Sequence, residues 1–338
     1  MKLSIIDLSV VQPGQSRHEA FRNSLDLVQR AEAWGYSRFW VAEHHGTPTA
    51  AGRAPEVLIS SLAAQTQTIR LGSGSVLLNH YSALKVAELF CTLNEIYPGR
   101  IDLGVGRATT GPVTDFALQQ DRSRQFRADS NEQLVELLAW LEGSFPEDHA
   151  FAAHPLHTDD SLPEVHLLGS SPWSGSAAAQ LGLRYSFASF INQAGTPGIV
   201  GSYRNNFQPS ANPTGVERPT LMLALRVICA DSEEEARRHF APVQLMHSNI
   251  TGGSLRAPLA TPDEAIRRLG GMPALDRYVP GSGVPPRYIG GTIDQVRETL
   301  EQIRTDLGAD EIIIQDMMTD YGARVRSYEL LAELIGEG

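Results

Sequence analysis

Residues 40–46 read Trp-Val-Ala-Glu-His-His-Gly at the end of a short apolar run. Three titratable side chains leave one extended segment together. Successive residues of a strand point to opposite faces, so Glu43 and His45 go one way and His44 the other. An imidazole at such a position can give and take a proton near neutral pH. The plainer reading is a polar loop with a histidine bonded to backbone. A metal centre is disfavoured, because no third ligand stands at metal spacing.

Three other run ends carry small or charged residues. Leu71-Gly72-Ser73-Gly74-Ser75-Val76 offers side chains small enough for a planar ligand to approach the backbone. A bulge or close helix packing would use the same residues. Asp102-Leu103-Gly104-Val105-Gly106-Arg107 half-resembles a dinucleotide loop, but its next glycine is at 111 and no helix is expected for some twenty residues. Arg107 reads better as a clamp for an anion, since a guanidinium matches phosphate geometry. Leu168-Gly169-Ser170-Ser171-Pro172-Trp173-Ser174 opens an alanine-rich helix. Its hydroxyls and the free N–H groups of a helix start suit a phosphate, and simple capping with Pro172 in the first turn is compatible with that. His154 and His157, with Asp159 and Asp160, lie in a polar stretch away from any run end and read as a solvated loop.

The elements that must position these residues alternate. β-like runs are expected over 2–6, 37–42, 70–76, 100–104, 165–169, 184–188, 220–230 and 311–315. Helices are expected over 17–34, 55–66, 83–96, 130–141, 173–181, 198–206, 233–246 and 325–334. The runs are short and mostly apolar on both faces, as in a parallel sheet covered by helices. Eight such units in 338 residues predict an α/β fold, a single (β/α)8 TIM barrel over 1–338. Surplus chain at 107–128 and about 247–310, the latter with an extra helix over 293–304, reads as insertions, the second at the C-terminal mouth. Barrels present their chemistry at the C-terminal strand ends, where the residues above fall.

Composition limits the partners. A hydrophobic fraction of 42% supports a large core, so a mainly disordered chain is excluded. The net charge is −11 and no Lys/Arg block occurs, which argues against a nucleic-acid or anionic-membrane partner. No apolar run reaches membrane-spanning length. Two distant cysteines, Cys91 and Cys229, form no disulfide framework, and a cytoplasmic location is expected.

The ordered set of FWVAEHH, RLGSGSVLL, YPGRIDLGVGR, LLGSSPWSGSAAAQLGL, YIGGTIDQV and RVRSYELL resembles the luciferase-like flavin monooxygenases, in the branch nearest the bacterial luciferase subunits. It spans the chain almost from end to end. The resemblance implies reduced FMN (FMNH2) bound at the barrel mouth and supplied by a separate flavin reductase. It implies reaction with O2 through a flavin C4a-hydroperoxide, and one oxygen atom passed to a small organic substrate. It places the phosphate on Arg107, Ser171 and Ser174, with Ser170 and Gly169 nearby. It places a non-proline cis peptide at Gly74–Ser75, beside Ser73 and under the ring. His44 matches the family's active-site histidine, and Glu43 and His45 match its neighbours; His44 and Glu43 are the implied catalytic residues. A second phosphate arginine would be Arg122, Arg124 or Arg127. The luciferase subunit carries a reactive cysteine where this chain has Gly106, which puts aldehyde-luciferase chemistry in doubt. A homodimer is implied as well. A deazaflavin (F420)-dependent oxidoreductase on the same barrel, or a non-catalytic flavin-binding or storage protein, remains open at this point.

Overall fold

The computed structural model describes residues 1–107, 111–119, 130–156, 161–251 and 257–336. Arg122, Arg124, Arg127, His157, Asp159 and Asp160 lie outside the described residues.

Strands and helices alternate. In chain order the first half contains β1 (Leu3–Asp7), α1 (Arg17–Ala33), β2 (Arg38–Val41), α2 (Pro55–Ala63), β3 (Arg70–Ser73), β4 (Val76–Leu77), α3 (Ala83–Ile96), β5 (Ile101–Gly106), α4 (Pro112–Leu118) and α5 (Ser130–Glu142). The second half contains β6 (Glu164–Gly169), α6 (Pro172–Gln180), β7 (Arg184–Ala188), α7 (Thr196–Asn205), β8 (Leu221–Cys229) and α8 (Glu233–Thr251). It ends with α9 (Pro262–Leu269), β9 (Ile289–Gly291), α10 (Ile293–Leu307), β10 (Glu311–Gln315) and α11 (Tyr321–Ala332).

Eight strands pair in parallel in the order β10-β1-β2-β3-β5-β6-β7-β8, and β8 pairs back to β10. The sheet is therefore a closed (β/α)8 barrel. β4 adds to β5, and β9 adds to β8. No helix among the described residues is long and apolar enough to cross a membrane.

Local chemistry starts the helices. Ser16 and Glu19 form a capping box at α1, and Ser171 and Ser174 form one at α6, with Pro172 in the first turn. The outward strand faces pack against the helices in the main core, from Leu3 through Phe39, Leu103 and Tyr185 to Ile314.

Alternate strand residues face the barrel interior, in two layers. Ile6, Trp40, Met222, Ala224 and Ile313 form an apolar plug. One step towards the N-terminal strand ends, Ser4, Arg38, Asp102, Glu164 and Glu311 form a polar layer. Strands expected to be apolar on both faces thus carry charge inside, and Arg38 pairs with three carboxylates there.

Other departures are local. The run at 70–76 splits into β3 and β4, with a cis peptide at Gly74–Ser75. The run at 100–104 continues to Gly106. The helix at 293–304 is α10, and it does not stand apart. Its Val296, Leu300, Ile303 and Leu307 enter the main core, so this piece belongs to the outer ring of helices. α4, α9 and β9 had no expectation, being seven, eight and three residues long.

Candidate active site

A cavity of about 940 Å3 opens at the C-terminal ends of the barrel strands. Ile6, Trp40, Ala224 and Ile313 of the apolar plug form its floor. His44 and His45 after β2, Gly106 and Arg107 at β5, and Gly169 to Ser171 after β6 form part of its wall. Residues 257–260 and Arg268 from the expected insertion close over another side.

Glu43 is a hub. It is 5% exposed, and its Oε1 accepts from Tyr81 Oη at 2.6 Å and lies 2.6 Å from His45 Nε2. Its Oε2 accepts from the Leu77 N–H at 2.9 Å. The carboxylate thus ties the end of β2 to β4 and to the start of α3. Glu43 and His45 are in contact, and His44 lines the cavity with them. The His44 N–H is fixed by Gly52 O at 2.9 Å. The ring is exposed within the cavity, yet protein crowds it on several sides. That burial lowers its pKa below 6.5; Glu43 opposes the shift and His45 adds to it. At neutral pH His44 is therefore an uncharged imidazole, able to accept a proton.

The small residues fall into two groups. Gly74 and Ser75 line the cavity, whereas Ser73 is wholly buried beside them. Its Oγ donates to Gly104 O at 2.8 Å and accepts from Gly104 N at 3.0 Å, which locks β3 to β5. Gly106 lies so close that a Cβ there would run into the Ser75 side chain. A cysteine at 106 would therefore displace Ser75, a physical reason for the departure from the luciferase subunit.

Arg107 lies at the rim with its guanidinium carbon 4.7 Å from the Trp173 ring centroid. Trp173 is itself anchored, its Nε1 donating to Asn131 Oδ1 at 2.7 Å. Ser170 and Ser171 are half-buried on the cavity wall. Ser174 is 2% exposed; its Oγ donates to Ser171 O at 2.8 Å and lies 2.9 Å from Tyr185 Oη. Its hydroxyl is consumed in holding the helix start. A Cβ on Gly169 would collide with it, so the glycine lets the strand end approach α6.

Residues 1–311 match the luciferase-like monooxygenase family. The chain belongs to that family. It is 36% identical to a luciferase-like monooxygenase of Escherichia coli K12, over 98% of this chain and 96% of that one. It is 35% identical to the N-acetyl-S-alkylcysteine monooxygenase of Bacillus subtilis, over 99% and 98% of the two chains. The crystal structure of apo-MsnO8 superposes with a TM-score of 0.86 at 36% identity, covering 98% of this chain and 96% of that one. The protein is a flavin-dependent monooxygenase.

The residues present fit a flavin. Ligand cavities run to about 1,000 Å3, so this one has room for a flavin and a small substrate together. A cationic rim and a helix start supply phosphate contacts, and small residues let a ring approach the backbone. Among the described residues one group of potential metal ligands occurs. Asp102, Glu164 and His166 offer ligand atoms within 4.8 Å of one another below the plug. Both Asp102 oxygens, however, already accept hydrogen bonds, Oδ2 from Arg38 and Trp40 and Oδ1 from Arg70. Sequence reasoning missed Trp40, Tyr81, Trp173 and Arg226 in the monooxygenase. Arg226 had a readable signal, as a lone charge in the apolar strand Leu-Met-Leu-Ala-Leu-Arg-Val-Ile-Cys.

Proposed function

We propose that the monooxygenase takes FMN in its reduced form, FMNH2, from a separate reductase and inserts one atom of O2 into a small organic substrate. The observation that carries this reading is Arg107 over Trp173 beside the α6 start, at one side of a cavity floored by an apolar plug.

Arg107, Ser170 and Ser171 hold the phosphate, with Gly169 and Ser174 shaping that corner. Gly74 and Ser75 let the ring approach the backbone, and Ser73 braces them from below. Bound reduced FMN supplies the electrons that activate O2, one oxygen going to substrate and the other to water. The apolar floor, with residues 257–260 above, keeps bulk water from the reacting centre. His44 accepts a proton on its neutral imidazole and returns it. Glu43 is a positioning residue beside His44, its own oxygens being engaged by His45, Tyr81 and the Leu77 N–H.

A homodimer fits the outer face of α2 and α3. Val57 is 67% exposed and Ile96 57%, beside a groove lined by Leu89 and Leu93. A cytoplasmic location fits the two buried free thiols.

The test is a pair of assays. Reduced FMN with O2 and thioether or ketone substrates should give oxygenated product. Reduced deazaflavin should transfer no hydride. Hydride transfer without oxygen uptake would replace this reading by the deazaflavin one.

A further inference from the structure

Alternate residues of β8 face the barrel interior, and Ala224 and Arg226 both line the cavity. Arg226 is 4% exposed. Its Nε donates to Gln315 Oε1 at 2.6 Å, from its neighbour in register on β10. Its guanidinium carbon lies 5.0 Å from the Phe190 centroid and 5.7 Å from that of Tyr288. Nη1 has no hydrogen-bond partner in the protein.

Among the described residues, the two other buried arginines are paired with carboxylates. Arg38 meets Asp102 and Glu311, and Arg324 meets Asp7 and Asp316. Among the described residues no carboxylate pairs with Arg226. Asp316, on the same side of the barrel, already accepts from Arg324, Tyr328 and the Met318 N–H. Burying an unpaired cation is costly, and the two rings and Gln315 offset only part of that cost. Burial lowers the pKa of Arg226 to about 10, which still leaves it charged at neutral pH.

Among the described residues of the cavity lining, the one acid, Glu43, has its oxygens engaged elsewhere, and Arg268 pairs with Glu264 outside the lining, so nothing described there neutralises Arg226. Arg107 follows β5 and Arg226 lies on β8, with β6 and β7 between them. A phosphate on Arg107 therefore leaves Arg226 to a second anion. The wall beside it is apolar, from Phe190, Met246, Leu259 and Met317.

We infer that Arg226 recognises a carboxylate on the substrate, so that the substrate is an amphipathic acid whose apolar body lies along Phe190, Met246 and Leu259. The flavin reading enters only in assigning Arg107 to the cofactor. A guanidinium edge matches a planar carboxylate, and charge-assisted bonds are the strong ones.

Calorimetric titration of the FMN-saturated protein with hexanoate and with hexanamide tests this. Wild type should bind hexanoate about ten- to a hundredfold more tightly than R226M does. Hexanamide should bind both proteins alike, and FMN affinity should be equal in both. R226M should melt no lower than wild type, because it removes a buried charge that lacks an ionic partner. R226Q repeats the comparison if R226M does not fold. Equal hexanoate and hexanamide affinity in wild type overturns the inference, as does a loss of FMN rather than hexanoate in R226M. If wild type binds no FMN, the flavin reading falls by itself. The same titrations on the protein alone then still decide the role of Arg226, through the presence or absence of the R226M difference.

Discussion

His45 Nε2 lies 2.6 Å from Glu43 Oε1, which holds the His45 ring against that carboxylate just beyond the end of β2. His44, between them in sequence, lines the cavity as they do. Tyr81 and the Leu77 N–H hold the same carboxylate, so the arrangement does not depend on the His45 contact alone.

His44→Ala is expected to lower product formation by about 10²–10⁴, the usual contribution of a general acid or base. FMN should still bind, because the proposed phosphate contacts, Arg107 after β5 and Ser170 and Ser171 before α6, lie elsewhere. In wild type the acid limb of the pH–rate profile should fall below 6.5, since burial lowers the imidazole pKa and only the neutral ring accepts a proton. That limb should vanish in H44A. His45→Ala should matter less, its ring being turned to Glu43. Single-turnover oxidation of bound FMNH2 with substrate present is the measurement. Wild-type coupling of oxygen to product in H44A would remove the catalytic role.

Arg107→Ala is expected to weaken FMN by about 1.5–3 kcal/mol, the scale of a hydrogen bond to a charged group. Riboflavin, which lacks the phosphate, should lose little. Fluorescence titration of both flavins checks this. Equal affinity of wild type for FMN and riboflavin would contradict the phosphate placement.

The barrel and its mouth were readable because parallel strands buried on both faces write short apolar runs, and α6 begins on a serine–proline cap. The ranges 83–96, 184–188 and 311–315 coincide with α3, β7 and β10. The interior charges were less legible. Arg38, Asp102, Glu164 and Glu311 stand near the N-terminal ends of their strands, where a charged residue reads as solvated flank. Only barrel closure brings the four together. Arg226 was missed for a related reason, since one charge in nine residues hardly disturbs an apolar pattern. Ser174, which the family resemblance implies as a phosphate contact, also caps α6, a second role that its residue type allows. Its bond to Tyr185 depends on β7, which no local pattern reports.

The interior ion layer gives the last prediction, one of stability. Arg38 Nη1 lies 2.7 Å from Asp102 Oδ2 and its Nε 3.2 Å from Glu311 Oε1, all of them buried. Arg38→Met leaves Asp102 to Arg70 and Glu311 to Lys2, so the cost should stay below the roughly 3–5 kcal/mol of a wholly uncompensated buried charge. Glu164 adds a pH dependence. Burial pushes its carboxyl pKa up, but the His166 ring and the guanidiniums of Arg38, Arg70 and Arg184 outweigh that and hold it well below 4.5. A carboxylate depressed in the folded state stabilises fully above its unfolded value and loses that contribution as pH falls towards its folded value. The urea midpoint of wild type should therefore drop steadily below about pH 4.5. Glu164→Gln should start from a lower midpoint at neutral pH and show a shallower acid decline, since amide 164 has no proton to gain. Equal slopes for E164Q and wild type below that pH would show that another carboxylate carries the acid sensitivity of the barrel.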